Sequence, residues 1–224
     1  MRDLFSTVAP RYDFFTRIFS YGMDRQWKRL AVANATISAQ ARVLDLACGT
    51  GDFAKLIAAF QPGAKVVGAD LTASMLRLAG LPNAIAADAA SLPFVSGSFD
   101  AVFIGYGLRN FPNLAGAIEE IHRALKPGGM LVSLDFFLPE PAWFRVLYLG
   151  YLYAQGAFWG VVLHGRARTY TYIPDSLRSF LSAREFTAWL RKMDFHEVAA
   201  RTFLRGGISI HWAKKGDPGK PDIQ

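Results

Sequence analysis

Short uninterrupted apolar runs alternate along this chain with stretches whose apolar residues recur every three to four positions, the signature of buried strands followed by covering helices. Residues 12–34 read as helical, with Phe14, Ile18, Trp27 and Leu30 on the apolar face and a break at Gly22. A first strand at 42–47 ends at Gly49-Thr50-Gly51, and a helix over 52–60 is stopped by Pro62-Gly63. Further strands are expected at 65–70, 84–87, 99–105 and 130–136, with helices at 74–81 and 114–125, the latter closed by Lys126-Pro127-Gly128-Gly129. After Pro139 the rhythm changes to an aromatic stretch over 140–181. A helix at 182–193 and two strands at 197–203 and 208–212 follow, turning at Gly206-Gly207 so that the last strand runs antiparallel. The expected fold is α/β, a Rossmann-like seven-stranded, mostly parallel sheet with an antiparallel last strand and helices on both faces.

The length, 224 residues, suits one domain. We expect it to span 1–215, as an N-terminal helical lid (1–41), a binding core (42–139), an apolar insertion (140–181) and a closing helix and strands (182–215), with a Gly/Pro-rich tail at 216–224. A composition 52% hydrophobic and 19% charged excludes a disordered chain. The single cysteine, Cys48, excludes an intramolecular disulfide and any multi-cysteine zinc site, and no other ligand spacing indicates a metal. The first residues lack the apolar run of a secretory signal, so a cytoplasmic protein is expected.

The net charge of +7 is unevenly spread. Residues 1–42 carry seven Lys/Arg against three Asp/Glu, 43–139 carry six against eight, and 140–224 carry twelve against seven. The basic excess lies on the flanks and no Lys/Arg block with interleaved aromatics tracks an element, so nucleic acid is not an expected partner.

In an open α/β sheet ligands bind at the carboxyl ends of the strands, and Gly49-Thr50-Gly51 occupies the first strand-to-helix turn. Asp45 lies within the first strand, Asp70 ends the second and Asp88 follows the third. A carboxylate at these places can take a ligand ammonium, the hydroxyls of a ribose and the amino group of an adenine. Together they outline an adenosine bearing a cationic amino acid, S-adenosyl-L-methionine. The glycine loop alone also satisfies the dinucleotide fingerprint, with Asp70 as a ribose acid, so an NAD-dependent oxidoreductase shares this first turn. An isolated strand-end Asp also serves as a helix cap.

Further motifs tilt the balance. Val43-Leu44-Asp45-Leu46-Ala47-Cys48-Gly49-Thr50-Gly51-Asp52, Asp88-Ala89-Ala90-Ser91-Leu92-Pro93-Phe94, Ser98-Phe99-Asp100-Ala101-Val102 and Leu125-Lys126-Pro127-Gly128-Gly129 together resemble the class I S-adenosylmethionine-dependent methyltransferases. Gly22-Met23-Asp24-Arg25-Gln26-Trp27-Lys28-Arg29, Gly107-Leu108-Arg109-Asn110, Thr169-Tyr170-Thr171-Tyr172-Ile173 and Gly206-Gly207-Ile208-Ser209-Ile210-His211 narrow the likeness to the ubiquinone/menaquinone-biosynthesis C-methyltransferases, over residues 2–215. The resemblance implies that Thr50, Asp70, Leu71, Asp88 and Ala89 contact the methyl donor, with Asp45, Gly49 and Gly51 forming its loop. Gly105 stands where many relatives have a donor-contacting serine, and the segment between Asp70 and Asp88 is short for the family.

The implied reaction is methyl transfer from a sulfonium to a ring carbon of a polyprenylated hydroquinone. An aromatic carbon is a poor nucleophile until a neighbouring phenol loses its proton, so catalysis needs alignment, a proton acceptor and phenolate stabilisation. Arg109, after the fourth strand and expected over the donor, is the candidate for the last, with Asn110 to orient it and Tyr12 as a lid residue. The bland alternatives are a helix cap or acid partner for Arg109 and core packing for Tyr12. His122, His196 and His211 read as structural, His164 borders the insertion, and Cys48 reads as packing.

Residues 146–163 nearly reach the ~20 apolar residues of a transmembrane helix. Spanning would divide one sheet across a bilayer, so we expect a lid or tunnel lining for an isoprenoid tail, in peripheral contact with the inner face of the membrane, with Arg145, Arg166, Arg168, Arg178 and Arg184 near phosphates. An ordinary buried helix pair is the alternative. Another apolar small molecule is the rival acceptor, and both a monomer and a homodimer suit the sequence.

Overall fold

The computed structural model describes residues 12–217, and the side chains of these except at 12–15, 164, 168 and 169. Two helices, α1 (Tyr12–Phe19) and α2 (Asp24–Ala33), precede β1 (Arg42–Leu46), α3 (Asp52–Phe60), β2 (Lys65–Asp70), α4 (Ala73–Ala79), β3 (Ala84–Ala86) and β4 (Phe99–Gly105). A single 3-10 turn, Leu108–Asn110, leads to α5 (Leu114–Ala124) and β5 (Leu125–Phe136). Then come α6 (Ala142–His164), α7 (Arg168–Arg178), α8 (Ala183–Lys192), β6 (Phe195–Phe203) and β7 (Ile208–Lys215).

The strands form one seven-stranded sheet in the order β3-β2-β1-β4-β5-β7-β6. The first five strands in that order pair in parallel, and β7 is antiparallel to both its neighbours. Successive side chains on a strand point to opposite faces, so each strand feeds two cores. Val43, Ala101, Phe103 and Val132 pack on one face with Trp27, Ile57, Leu152 and Tyr170. Leu44, Leu46, Val102 and Ile104 pack on the other with Ile118, Ile121, Phe186 and Leu190. Burial on both faces is why these strands read as uniform apolar runs and not as an alternation.

The expected fold is the one observed, with local differences. The break in the first helical stretch falls at Ser20–Met23, where Gly22 takes a φ of +76°. The fifth strand begins at Leu125 instead of 130: Phe99 pairs with Leu125 and Ala101 with Met130, so Lys126–Gly129 bulge out of the ladder, tied back by Lys126 Nζ to Asp100 at 2.7 Å. The aromatic stretch is the α6–α7 pair, closely packed. A β-carbon at Gly156 would stand 2.9 Å from the Tyr170 carbonyl oxygen, and one at Gly160 would stand 2.5 Å from that of Arg166. The C-terminal helix α8 starts with a reciprocal capping box, Ser182 with Glu185. The expected lid before residue 12 and the tail beyond 217 lie outside the described residues.

Candidate active site

The sheet order reverses between β1 and β4, which opens a crevice at their carboxyl ends. The turn after β1 lines it with three left-handed residues, Ala47 (φ +53°), Gly49 (+54°) and Gly51 (+81°). An alanine held there stores strain of order 1 kcal/mol, characteristic of a turn whose shape is imposed by its surroundings. Two acids impose it. Asp70 accepts the Gly49 N–H at 2.9 Å and the Thr72 N–H at 2.8 Å, while Asp45 accepts the Ala54 N–H at 2.9 Å and so caps α3.

Two adjoining chambers result. The larger, about 730 Å³ of empty space partly open to solvent, is lined by Gly49, Asp70, Leu71, Asp88, Ala89 and Asn110, with Gly105, Tyr106, Gly107 and Phe111 completing its wall. The smaller, about 310 Å³, is lined by Lys28, Asp45, Thr50, Asp52 and Phe53. Both share Ala47, Gly49, Gly105 and Tyr106. Gly51 stands behind the loop, where a β-carbon would meet Ala79 and Leu81 at 3.3 Å. Gly105 faces Phe53, whose ring would lie 2.9 Å from a β-carbon there. Phe53 therefore takes the space that a serine side chain would need.

Electrostatically the smaller chamber is poised. Burial pushes the Asp45 carboxyl up to about 7, against the pull of the Ala54 N–H and the Lys28 charge. Burial also raises Asp70, against its two backbone donors. Lys28 is 6% exposed and bonds Asp24 at 2.9 Å and Asp52 at 2.7 Å. Burial works to lower it, and the two carboxylates outweigh that and hold it charged. Burial, with the nearby Asp45 and Asp70 charges, drives the Cys48 thiol far up, which leaves it inert packing.

The structure separates Arg109 from Asn110. Arg109 does not line either chamber. Its Nε lies 3.3 Å from Asp135 and its Nη1 donates to Ser176 at 3.2 Å, with the guanidinium between the rings of Phe136 and Tyr172. The expected guanidinium over the donor is thus a buried ion pair, because Asp135 is wholly enclosed in β5 and gathers the Leu108 N–H, the Phe136 N–H and Arg109 around it. Burial lifts Asp135 to about 6 against the pull of those partners. Asn110 faces the larger chamber: its Nδ2 donates to the Tyr106 carbonyl at 3.0 Å, and its Oδ1 is buried without a hydrogen-bond partner among the described residues. The side chain of Tyr12 lies outside the described residues.

Lys28, Phe53 and Asp135 were not among the expected site residues. A lone acid inside the apolar run Leu131-Val132-Ser133-Leu134-Asp135-Phe136 was the one legible signal, since a buried carboxylate demands partners. His211 is fully buried, with Nε2 3.1 Å from the Ala183 carbonyl, and burial lowers it to about 4, so it is a neutral packing residue. Among the described residues no group of three or more His, Cys, Asp or Glu could hold a metal.

An acidic strand rim around two adjoining chambers fits a cationic nucleoside cofactor. Comparison with known proteins agrees. A family model described as the ubiE/COQ5 methyltransferase family matches residues 1–215. The chain is 40% identical over 216 residues to a demethylmenaquinone methyltransferase of Thermus thermophilus, covering 93% of this chain and 98% of that one. It is 36% identical over 227 residues to a ubiquinone/menaquinone biosynthesis C-methyltransferase of Syntrophotalea carbinolica, covering 97% and 95%. In fold it is similar to the Haloferax volcanii methyltransferase solved with the Trm112 activator (TM-score 0.69, 17% identity, 95% of this chain and 97% of that one). It is also similar to Haemonchus contortus phosphoethanolamine N-methyltransferase 2 solved with S-adenosylhomocysteine (TM-score 0.62, 16% identity, 90% and 58%). With its site strands and nearly its whole length inside the family match, this chain belongs to the ubiE/COQ5 methyltransferase family.

Proposed function

We propose that this enzyme transfers a methyl group from S-adenosyl-L-methionine to a ring carbon of a polyprenylated hydroquinone in ubiquinone/menaquinone biosynthesis. The observation that carries this reading is the placing of Asp45 near the end of β1, Asp70 at the end of β2 and Asp88 just after β3, around two adjoining chambers. When bound, the cofactor supplies an electrophilic methyl on a sulfonium. Asp45, Gly49 and Thr50 hold its amino-acid end, with Lys28 as the cation beside a carboxylate. Asp70 keeps lone pairs for the ribose hydroxyls beyond those given to Gly49 and Thr72. Asp88, Leu71 and Ala89 wall the adenine.

On the acceptor side Asn110 Oδ1 receives the hydrogen bond of a ring phenol and orients the ring toward the methyl. The adjoining phenol gives its proton to solvent before transfer, and the methylated ring carbon gives up its own hydrogen as a proton to solvent afterwards, which restores the aromatic ring. Tyr106 and Phe111 exclude water from that space. Arg109 acts through Asn110: paired with Asp135, it holds the turn that carries the amide. The acceptor is drawn from the inner face of the membrane, in peripheral contact with it, by an otherwise cytoplasmic enzyme.

Labelled S-adenosyl-L-methionine incubated with demethylated quinols of several head groups, followed by mass spectrometry, tests the reading. A ring-methylated quinol is the expected product. Methylation of some other apolar molecule alone, or calorimetric binding of NAD in place of the methyl donor, would overturn it.

A further inference from the structure

The helix α6 has two apolar faces, and only one of them is used by the fold. Tyr148, Leu149 and Leu152 are buried, Gly156 lets α7 approach to backbone contact, and Gly160 does the same for the turn that leads into α7. On the opposite side Trp143, Val146, Leu147, Phe158, Val161 and Val162 are each between 55% and 72% exposed. At 3.6 residues per turn these six fall within an arc of about 160°, on a helix about 34 Å long. Within Ala142–His164 the one Lys, Arg, Asp or Glu is Arg145, which turns back to the Pro139 carbonyl at 3.0 Å. A contiguous apolar face of this size on a soluble domain marks an interaction surface.

Its surroundings say what kind. Arg205 lies 5.1 Å over the Trp143 ring, Arg184 is exposed and paired at 3.4 Å to Glu140, two residues before the helix, Arg178 covers Tyr153 at 5.0 Å, and Arg166 is exposed at the far end. An apolar stripe with arginines at its ends and flank complements an anionic lipid surface, tails to the stripe and phosphates to the guanidinia. The close α6–α7 backbone packing ties the helix to the domain, so it lies along the interface and does not cross it.

We propose that the outer face of α6 is the surface by which this enzyme docks on an anionic membrane, lying flat in the headgroup layer. The proposal rests on the reading of the acceptor as a polyprenylated quinol, and it places α6 of this domain where such a molecule resides. The test is flotation of the whole protein with phosphatidylglycerol-containing vesicles and with phosphatidylcholine vesicles. We expect binding to the former, weakened at least tenfold in Leu147→Glu/Phe158→Glu, and a lost preference for anionic lipid in Arg184→Glu/Arg205→Glu. The apolar-face variant retains wild-type turnover on a short-tailed quinol in solution and loses it on a long-tailed quinol in vesicles. Wild type remaining unbound at low salt, or variants binding as wild type does, would overturn the proposal. So would a wild-type dimer that the same substitutions split while vesicle binding is unchanged. If no quinol is methylated, the reaction reading fails while the vesicle comparison still decides this one.

Discussion

Asp45 carries the sharpest consequence of burial in this molecule. Its carboxyl, ordinarily near 3.8, is pushed up to about 7 in the folded chain. A donor ammonium needs the ionised form, so affinity for S-adenosyl-L-methionine falls as pH drops below 7, while Asp45→Asn binds weakly and without that dependence. Calorimetric titration between pH 6 and 8 checks both. For folding the sign is opposite: between about 4 and 7 the folded chain keeps a proton that the unfolded chain has lost, so this group favours folding more at pH 5 than at pH 8. Position 105 makes a second prediction. Gly105→Ser presses on the Phe53 ring and destabilises by about 1–3 kcal/mol. Adding Phe53→Leu makes room, so the double variant is more stable than the sum of the two single changes implies, as a urea-unfolding cycle would show.

Elements are coupled here by buried polar pairs. Arg109–Asp135 and Arg109–Ser176 join the 108–110 turn to β5 and α7. Arg109→Met strands a buried carboxylate and costs about 3–5 kcal/mol, whereas Arg109→Met/Asp135→Asn, which removes the charge and keeps an oxygen to accept the Leu108 N–H, restores much of it. Turnover stays low in that double variant, because the turn bearing Asn110 loses its anchor, while affinity for the methyl donor changes little. Equal loss of donor binding would show that Arg109 serves the donor itself. Lys28 plays the same part between α2 and α3 through Asp24 and Asp52. The Trp212 Nε1 donates to the Ala31 carbonyl at 3.0 Å, fastening α2 to β7 as well.

The whole molecule is a sheet covered on both faces with its ligand space at the carboxyl ends of the central strands, so donor binding and folding are linked. At a hundredfold excess of S-adenosyl-L-methionine over its dissociation constant the folded state gains about 2.7 kcal/mol. For a domain of this size that raises the melting temperature by about 5–11 °C. Asp70→Ala, which removes the groups holding Gly49 and Thr72, abolishes the shift. Thermal melts of both proteins with and without donor measure it.

The order of strands and helices was legible because periodicity is local: a buried parallel strand is a uniform run and a surface helix is not. The glycine loop and the acids at the strand ends were legible for the same reason, since each sits a fixed distance after a strand. Arg109 was legible as a residue and not as a role, because its partner Asp135 lies 26 positions away and is brought beside it by the β4–β5 register. Phe53 filling the space at Gly105 and Lys28 reaching Asp52 were hidden likewise. In α6 periodicity is silent, every face being apolar. Which side is buried was decided by where Gly156 and Gly160 allow a second backbone to approach, a three-dimensional fit that no local pattern encodes.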